Sequence, residues 1–272
     1  MSELTPDMQA IKNKMKEVWS AGDFGVIARI IEAEDTAFIH RLNIKPGSKV
    51  LDAACGTGNC SLPAAKMGAH VTGMDLVPDL IRQANERALA ENLNIKFDVG
   101  DAEAMPYGDN EFDYVVSMFG VMFAPRPDVS VSELLRVCKP GGIIAMANWT
   151  PEGFVGKFFK LAASYAPPPP GLPAPVEWGN EIIVSKRFGS NVSDLKLTRC
   201  IMDMKIPMTP AKTAEHYIEY FGPTKVLYNM LNSEARERFK KDFVKIWEDH
   251  NIASDGSTNV EHEYLEVVAV KK

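Results

Sequence analysis

The 272-residue sequence predicts an α/β protein: a mostly parallel sheet with helices on both faces and a helical cover, in a single domain. Three observations predict it. From residue 48 to residue 149, short apolar runs alternate with stretches of helical periodicity. Those runs are nearly continuous in Val, Ile, Leu and Ala, as strands buried on both faces must be. A hydrophobic content of 46% is enough to fill one large core.

Residues 6–42 carry helical periodicity broken by "SAGDFG" at 20–25, which gives two helices ahead of the sheet. "SKVLDAA" (48–54) is the first strand, entered through the turn "KPG". "NCSLPAAKMG" follows it as a helix that stops at Gly68. "HVTGMDL" (70–76) is the second strand, and 77–93 a helix with Leu80, Ala84 and Ala88 on one face. The third and fourth strands are 95–101 and 112–119. Residues 128–142 read as a helix halted by Pro-Gly-Gly, and 143–149 as the fifth strand.

After Trp149 the rhythm fails. Residues 151–166 are helical, whereas "PPPPGLPAP" (167–175) suits neither a helix nor a central strand. "LKLTRCIMDMKI" (195–206) alternates as a strand, and Thr209-Pro210 starts a helix with a capping hydroxyl before a proline. In 233–250, Phe239, Phe243, Ile246 and Trp247 face a core. "EYLEVVAVKK" (263–272) closes the chain as a strand, paired antiparallel with the strand before it on the same sheet. The organisation expected is N-terminal helices or a lid (1–44), a cofactor-binding core (45–150), and a cover with the last two strands (151–272).

Charge excludes some partners. The net charge is −6 and neither half carries a basic excess, so no nucleic-acid surface is expected. The first residues lack an apolar signal-type core, and the longest apolar stretch, 114–125, is too short to insert stably in a membrane. Cys55, Cys60, Cys138 and Cys200 form no CxxC pair and no metal-ligand spacing with His. A cytoplasmic chain with reduced thiols and no metal is the expectation.

"LDAACGTGNC" (51–60) carries the chemistry. Small residues after a strand let a ligand approach the backbone, and the next helix offers free N–H groups. A triphosphate loop would end in glycine-lysine-serine or -threonine, and "GTGNCS" has no lysine. A dinucleotide loop would place a third glycine at Ser61 and would avoid Asp52, since two anions repel at short range. A ligand bearing a sulfonium and an ammonium, S-adenosylmethionine (SAM), turns that carboxylate into an asset. A plain strand-to-helix turn with no ligand is the competing reading.

Two further acids favour SAM. Asp75 ends the second strand, where a carboxylate accepts hydrogen bonds from ribose hydroxyls. Asp101 ends the third, where it faces an adenine amino group with the Ala102 N–H beside it. Three acids at the carboxyl ends of successive parallel strands share the edge at which open sheets bind ligands.

The stretches "VLDAACGTGN", "GMDLVPDLI", "GDAEAMPYGDNEFDYVVSMFGVMF" and "ELLRVCKPGG" resemble, in order, the motifs of class I SAM-dependent methyltransferases. They are most similar to the group that resembles ubiquinone/menaquinone-biosynthesis methyltransferases. The resemblance covers residues 45–150. It implies a Rossmann-like seven-stranded sheet with the last strand inserted antiparallel, and SAM lying across the tips of strands one, two and four. On matching positions it implies Asp52, Ala54, Gly56 and Gly58 at the methionine end, and Asp75 and Leu76 at the ribose and adenine. Asp101 and Ala102 fall at the adenine edge, and Phe119 near cofactor and substrate entrance. Ala54 departs from the glycine found in many members.

No residue declares itself as a general base. His216 and Tyr220 share a helical face in the cover, and His250 and His262 read as partnerless in polar surroundings. Trp19 and Phe24 flank the glycine-containing break at 18–28, which suits a lid with Phe24 on the methionine portion, or plain packing on the sheet. The function expected is methyl transfer to a small, apolar metabolite. The alternatives are a SAM-binding module without catalysis, and a nicotinamide-dependent oxidoreductase.

Overall fold

A computed structural model describes residues 6–272 of the chain. Its centre is one seven-stranded sheet in the order β3-β2-β1-β4-β5-β7-β6. The strands are β1 (Lys49–Ala53), β2 (His70–Asp75), β3 (Lys96–Val99), β4 (Phe112–Met118), β5 (Cys138–Trp149), β6 (Val192–Ile206) and β7 (Thr258–Lys271). The first five are parallel; β7 lies antiparallel between β5 and β6. The expected insertion of the last strand is what the sheet has.

Two helices precede the sheet, α1 (Pro6–Ser20) and α2 (Phe24–Arg41), with Asp23 capping the second through the Gly25 N–H. α3 (Ser61–Lys66) and α4 (Pro78–Ala90) connect β1 to β2 and β2 to β3, and α5 (Pro127–Val137) connects β4 to β5. The first two connections step along the sheet one way and the third steps the other way. Right-handed crossovers therefore put α3 and α4 on one face and α5 on the opposite face. Between these layers Leu51, Val115, Ile144, Ala145 and Met146 are fully buried.

The boundary between α5 and β5 differs from the sequence reading. The helix after β4 stops at Val137, and β5 begins at Cys138 rather than after the glycines. Phe112 pairs with Cys138 and Tyr114 with Ile143, so Lys139–Gly142 bulge out of an otherwise continuous strand. Gly141, at φ +75°, makes the bulge at no steric cost. Pro-Gly-Gly thus deforms a strand here instead of ending a helix.

The cover comprises α6 (Phe154–Tyr165), α7 (Glu181–Phe188), α8 (Pro210–Tyr220), α9 (Gly222–Met230) and α10 (Ser233–His250). α7 and α9 escaped the sequence reading: each is short, and α7 follows the proline run. Phe239, Phe243 and Trp247 are buried as expected, with Ile246 at the margin. β7 starts at Thr258, five residues before the strand read from the sequence. No helix among the described residues is long and apolar enough to cross a membrane.

Candidate cofactor site

β1 and β4 are neighbours whose following helices leave for opposite faces, and their carboxyl ends open a crevice between them. The cavity there has about 1060 Å³ of open space, mouth included. Its floor is the turn after β1. Ala54 (φ +56°), Gly56 (φ +54°) and Gly58 (φ +85°) all take the left-handed conformation, which an alanine adopts only at a cost of about 1–2 kcal/mol. Gly120, at the end of β4, closes over this turn: a Cβ there would lie 2.5 Å from the Ala54 carbonyl oxygen.

The second acid locks the turn. Asp75 Oδ2 accepts from the Gly56 N–H at 2.9 Å, and Oδ1 accepts from the Val77 N–H at 2.9 Å. Each oxygen retains a lone pair for a ligand hydroxyl. Asp101 is set in the same way, Oδ1 accepting from the Glu103 N–H at 2.8 Å. Asp52 accepts from Ser61 Oγ at 2.6 Å.

A fourth acid, Asp35 of α2, joins them and accepts from Asn59 Nδ2 at 2.7 Å. Burial pushes the Asp35 carboxyl up to about 8 and the Asp52 carboxyl up to about 7, against the pull of their Asn59 and Ser61 hydrogen bonds. Burial raises Asp75 too, opposed by the Val77 and Gly56 N–H groups. Burial, then the field of Asp52, holds the Cys55 and Cys60 thiols far above the ordinary range. These are neutral thiols, not nucleophiles. Carboxyls desolvated in this way gain most from a cationic ligand.

The roof comes from α1 and the start of α2. Lys12, Met15, Trp19 and Phe24 line the cavity, and Phe24 lies over Gly56, where a Cβ would meet its ring at 3.5 Å. Trp19 meets Phe24, Phe123 and Phe221 edge-on, with centroids 5.5, 4.9 and 5.6 Å away. The two rings therefore line the cavity and pack on the cover at once. On the far wall Phe119, left-handed at φ +53°, stacks face to face on Trp149.

Of the sequence-predicted residues, Phe24, Asp52, Ala54, Gly56, Asp75, Leu76, Asp101, Ala102 and Phe119 converge on this one cavity. Gly58 does not line it. Its Cα faces Leu62 and Phe97, and a Cβ would approach Leu62 Cδ1 to 2.8 Å, so its place in the turn is a packing requirement. His216 and Tyr220 stand against each other outside the cavity.

The reading of the last two histidines is corrected. His262 is buried on β7 against Phe154, Trp149 and Trp247, with Nδ1 2.8 Å from the Val260 carbonyl, and burial lowers it to about 4. His250 pairs with Lys157 Nζ and the Ile246 carbonyl. Among the described residues no cluster of His, Cys, Asp or Glu is arranged to hold a metal.

Asp35 and Lys12 were missed. Asp35 had a signal: with Ile27, Ile31 and Phe38 it falls on the apolar stripe of α2, where an unpaired acid is out of place. Lys12 had none, because its partners lie 89 residues away and beyond.

Comparison with known proteins agrees with this fold. Residues 50–142 match the family described as "Methyltransferase domain". The chain is 39% identical over 229 residues to an uncharacterised protein of Mycobacterium tuberculosis, covering 84% of each. It is 37% identical over 120 residues to a demethylmenaquinone methyltransferase of Renibacterium salmoninarum, covering 44% of this chain and 48% of that one. A putative methyltransferase structure from Bacillus halodurans superposes with a TM-score of 0.60 at 20% identity, over 88% of this chain and 99% of that one. Residues 50–142 therefore carry a methyltransferase domain, for which SAM is the methyl donor.

Proposed function

We propose that this methyltransferase moves the methyl group of SAM to a small, apolar metabolite by in-line displacement. The observation that carries the reading is the mixed lining of the cavity: acids from the tips of β1, β2 and β3 together with the rings of Trp19, Phe24, Phe119 and Phe123. Bound SAM supplies a methyl already activated by its sulfonium. Asp75 would take the ribose hydroxyls with its spare lone pairs, beside Leu76. Asp101 and Ala102 would hold the adenine edge. Asp52, Asp35 and the Ala54–Gly56 turn would face the cationic methionine end. The aromatic wall excludes water and offers a nonpolar acceptor its surface.

Alignment of the acceptor about 3 Å from the methyl is the main contribution asked of the protein. Among the described residues no histidine or tyrosine lines the cavity. Incubating the chain with SAM and a panel of apolar phenols, quinols and amines, and following S-adenosylhomocysteine, tests the reading. Turnover with an apolar member supports it. SAM binding without turnover on any acceptor favours a binding module, and uptake of NADH in place of SAM overturns the reading.

A further inference from the structure

We propose that Lys12 is the latch of a cofactor lid: α1 closes over the adenine end of the cavity through an ion bridge from Lys12 to Asp101 and Glu103, and this bridge limits how fast the adenosyl ligand leaves. The inference rests on the SAM site described above and adds to it a residue that touches the site through Asp101.

The burial of α1 is inverted. Among its described side chains Lys12 alone is buried, at 5% exposure, while Ile11, Met15 and Trp19 are only half-buried. A surface helix ordinarily docks by an apolar stripe and keeps its lysines in water. Here the residue most withdrawn from water is the cation. Its Nζ lies 2.5 Å from Asp101 Oδ2 and 2.6 Å from Glu103 Oε2. Lys12, Met15, Asp101 and Ala102 line the same cavity, so the bridge spans its adenine end.

The other end of α1 is fixed. The Asp23 N–H donates to the Tyr220 carbonyl at 2.9 Å. A Cβ on Gly22 would sit 2.0 Å from that carbonyl oxygen, and one on Gly222 would sit 2.2 Å from the Val18 carbonyl oxygen. Two glycines thus press the backbone of the α1–α2 turn against the start of α9. With this end clamped and the middle held by ions, the helix swings about residues 18–23 when the bridge parts.

Parting is feasible because it strands no charge. Glu103, whose side chain is wholly buried, also accepts from the Arg126 backbone N–H at 2.6 Å and from Arg126 Nε at 2.7 Å. It keeps that partner with the lid open, while Lys12 and Asp101 return to water. The usual penalty for splitting a buried pair, an uncompensated charge left inside, does not arise. The bridge can therefore act as a gate rather than a permanent strut.

The test is stopped-flow release of S-adenosylhomocysteine, read from the fluorescence of Trp19 on the lid, with a melting curve for each variant. Lys12→Met is expected to release the ligand about tenfold faster or more, the change that 1.4 kcal/mol lost from the closed state brings. Lys12→Arg keeps the slow rate. If Lys12→Met fails to fold, Lys12→Gln, which is neutral but can still donate to both carboxylates, is read the same way. An unchanged release rate in a folded neutral variant overturns the latch and leaves the site standing. A wild-type chain that binds neither SAM nor S-adenosylhomocysteine overturns both.

Discussion

The floor of the cavity is held by backbone, whereas the part of the roof nearest the adenine end is held by side chains. On the floor, the Asp75 carboxylate is tied to the Gly56 and Val77 N–H groups, and the turn runs through three left-handed residues. On the roof, α1 relies on one buried lysine and a cluster of edge-on rings. Backbone hydrogen bonds to a charged group are short-range and fix one geometry; rings and a long cation can part and re-form. One side is built to recognise, the other to open.

The largest effect that would sharpen this contrast is on the floor. Asp75→Ala is expected to weaken SAM binding about 100-fold or more, since each hydrogen bond to a charged group is worth about 1.5–3 kcal/mol. Calorimetry giving an unchanged affinity would mean that the ribose lies elsewhere.

Next is pH. Burial holds Asp35 at about 8 and Asp52 at about 7, and a cation bound beside them favours the ionised form. SAM binding therefore expels protons, and affinity should rise between about pH 6 and 8, by at most about tenfold per pH unit for each titrating group. In the ligand-free chain the sign is reversed. A carboxyl raised in the folded state contributes stability that is complete below its unfolded value near 3.8 and is lost as pH climbs through 7 and 8. Asp35→Asn should flatten both profiles, as titrations in several buffers and melts at several pH values would reveal. A profile unaltered by that change removes Asp35 from the cation's surroundings.

On the roof, Phe24→Ala should cost about three- to tenfold in SAM affinity and, because the ring also packs on Trp19, lower the melting curve by a smaller free energy than the binding loss. Equal losses in both would make the ring a packing element only, and the contrast would fail there. Smallest is Ala54→Gly, which relieves a left-handed alanine and should raise the unfolding free energy by about 0.5 kcal/mol, after the entropy that glycine adds to the unfolded chain. A loss of stability would show instead that the Ala54 methyl is needed under Gly120.

The same contrast governs what the sequence disclosed. The floor was legible because each part is local: an apolar run, an acid, and small residues at fixed spacing from it. Asp52, Asp75 and Asp101 could be placed at strand ends before any contact was known. The roof and cover were not, because their meaning lies in partners far along the chain. Lys12 matters only beside Asp101 and Glu103, and His262 became a buried residue only once β7 ran from Thr258. The Lys139–Gly142 stretch misled for a related reason, since the pairs Phe112–Cys138 and Tyr114–Ile143 on either side of it carry the strand through a bulge that its local chemistry reads as a stop.

Inserting β7 between β5 and β6 has a consequence for assembly. β6 forms the outer margin of the sheet and pairs with β7 alone, a strand that follows it only after three intervening helices. Until β7 arrives, both flanks of β6 and the free flank of β5 are templates for a foreign strand. β6 meets that hazard with exposed Asp194, Lys196, Arg199, Asp203 and Lys205, charges of both signs that discourage stacking against another chain. The strand most at risk of sticking to its neighbours in a crowded cell is also the one most heavily salted with charge.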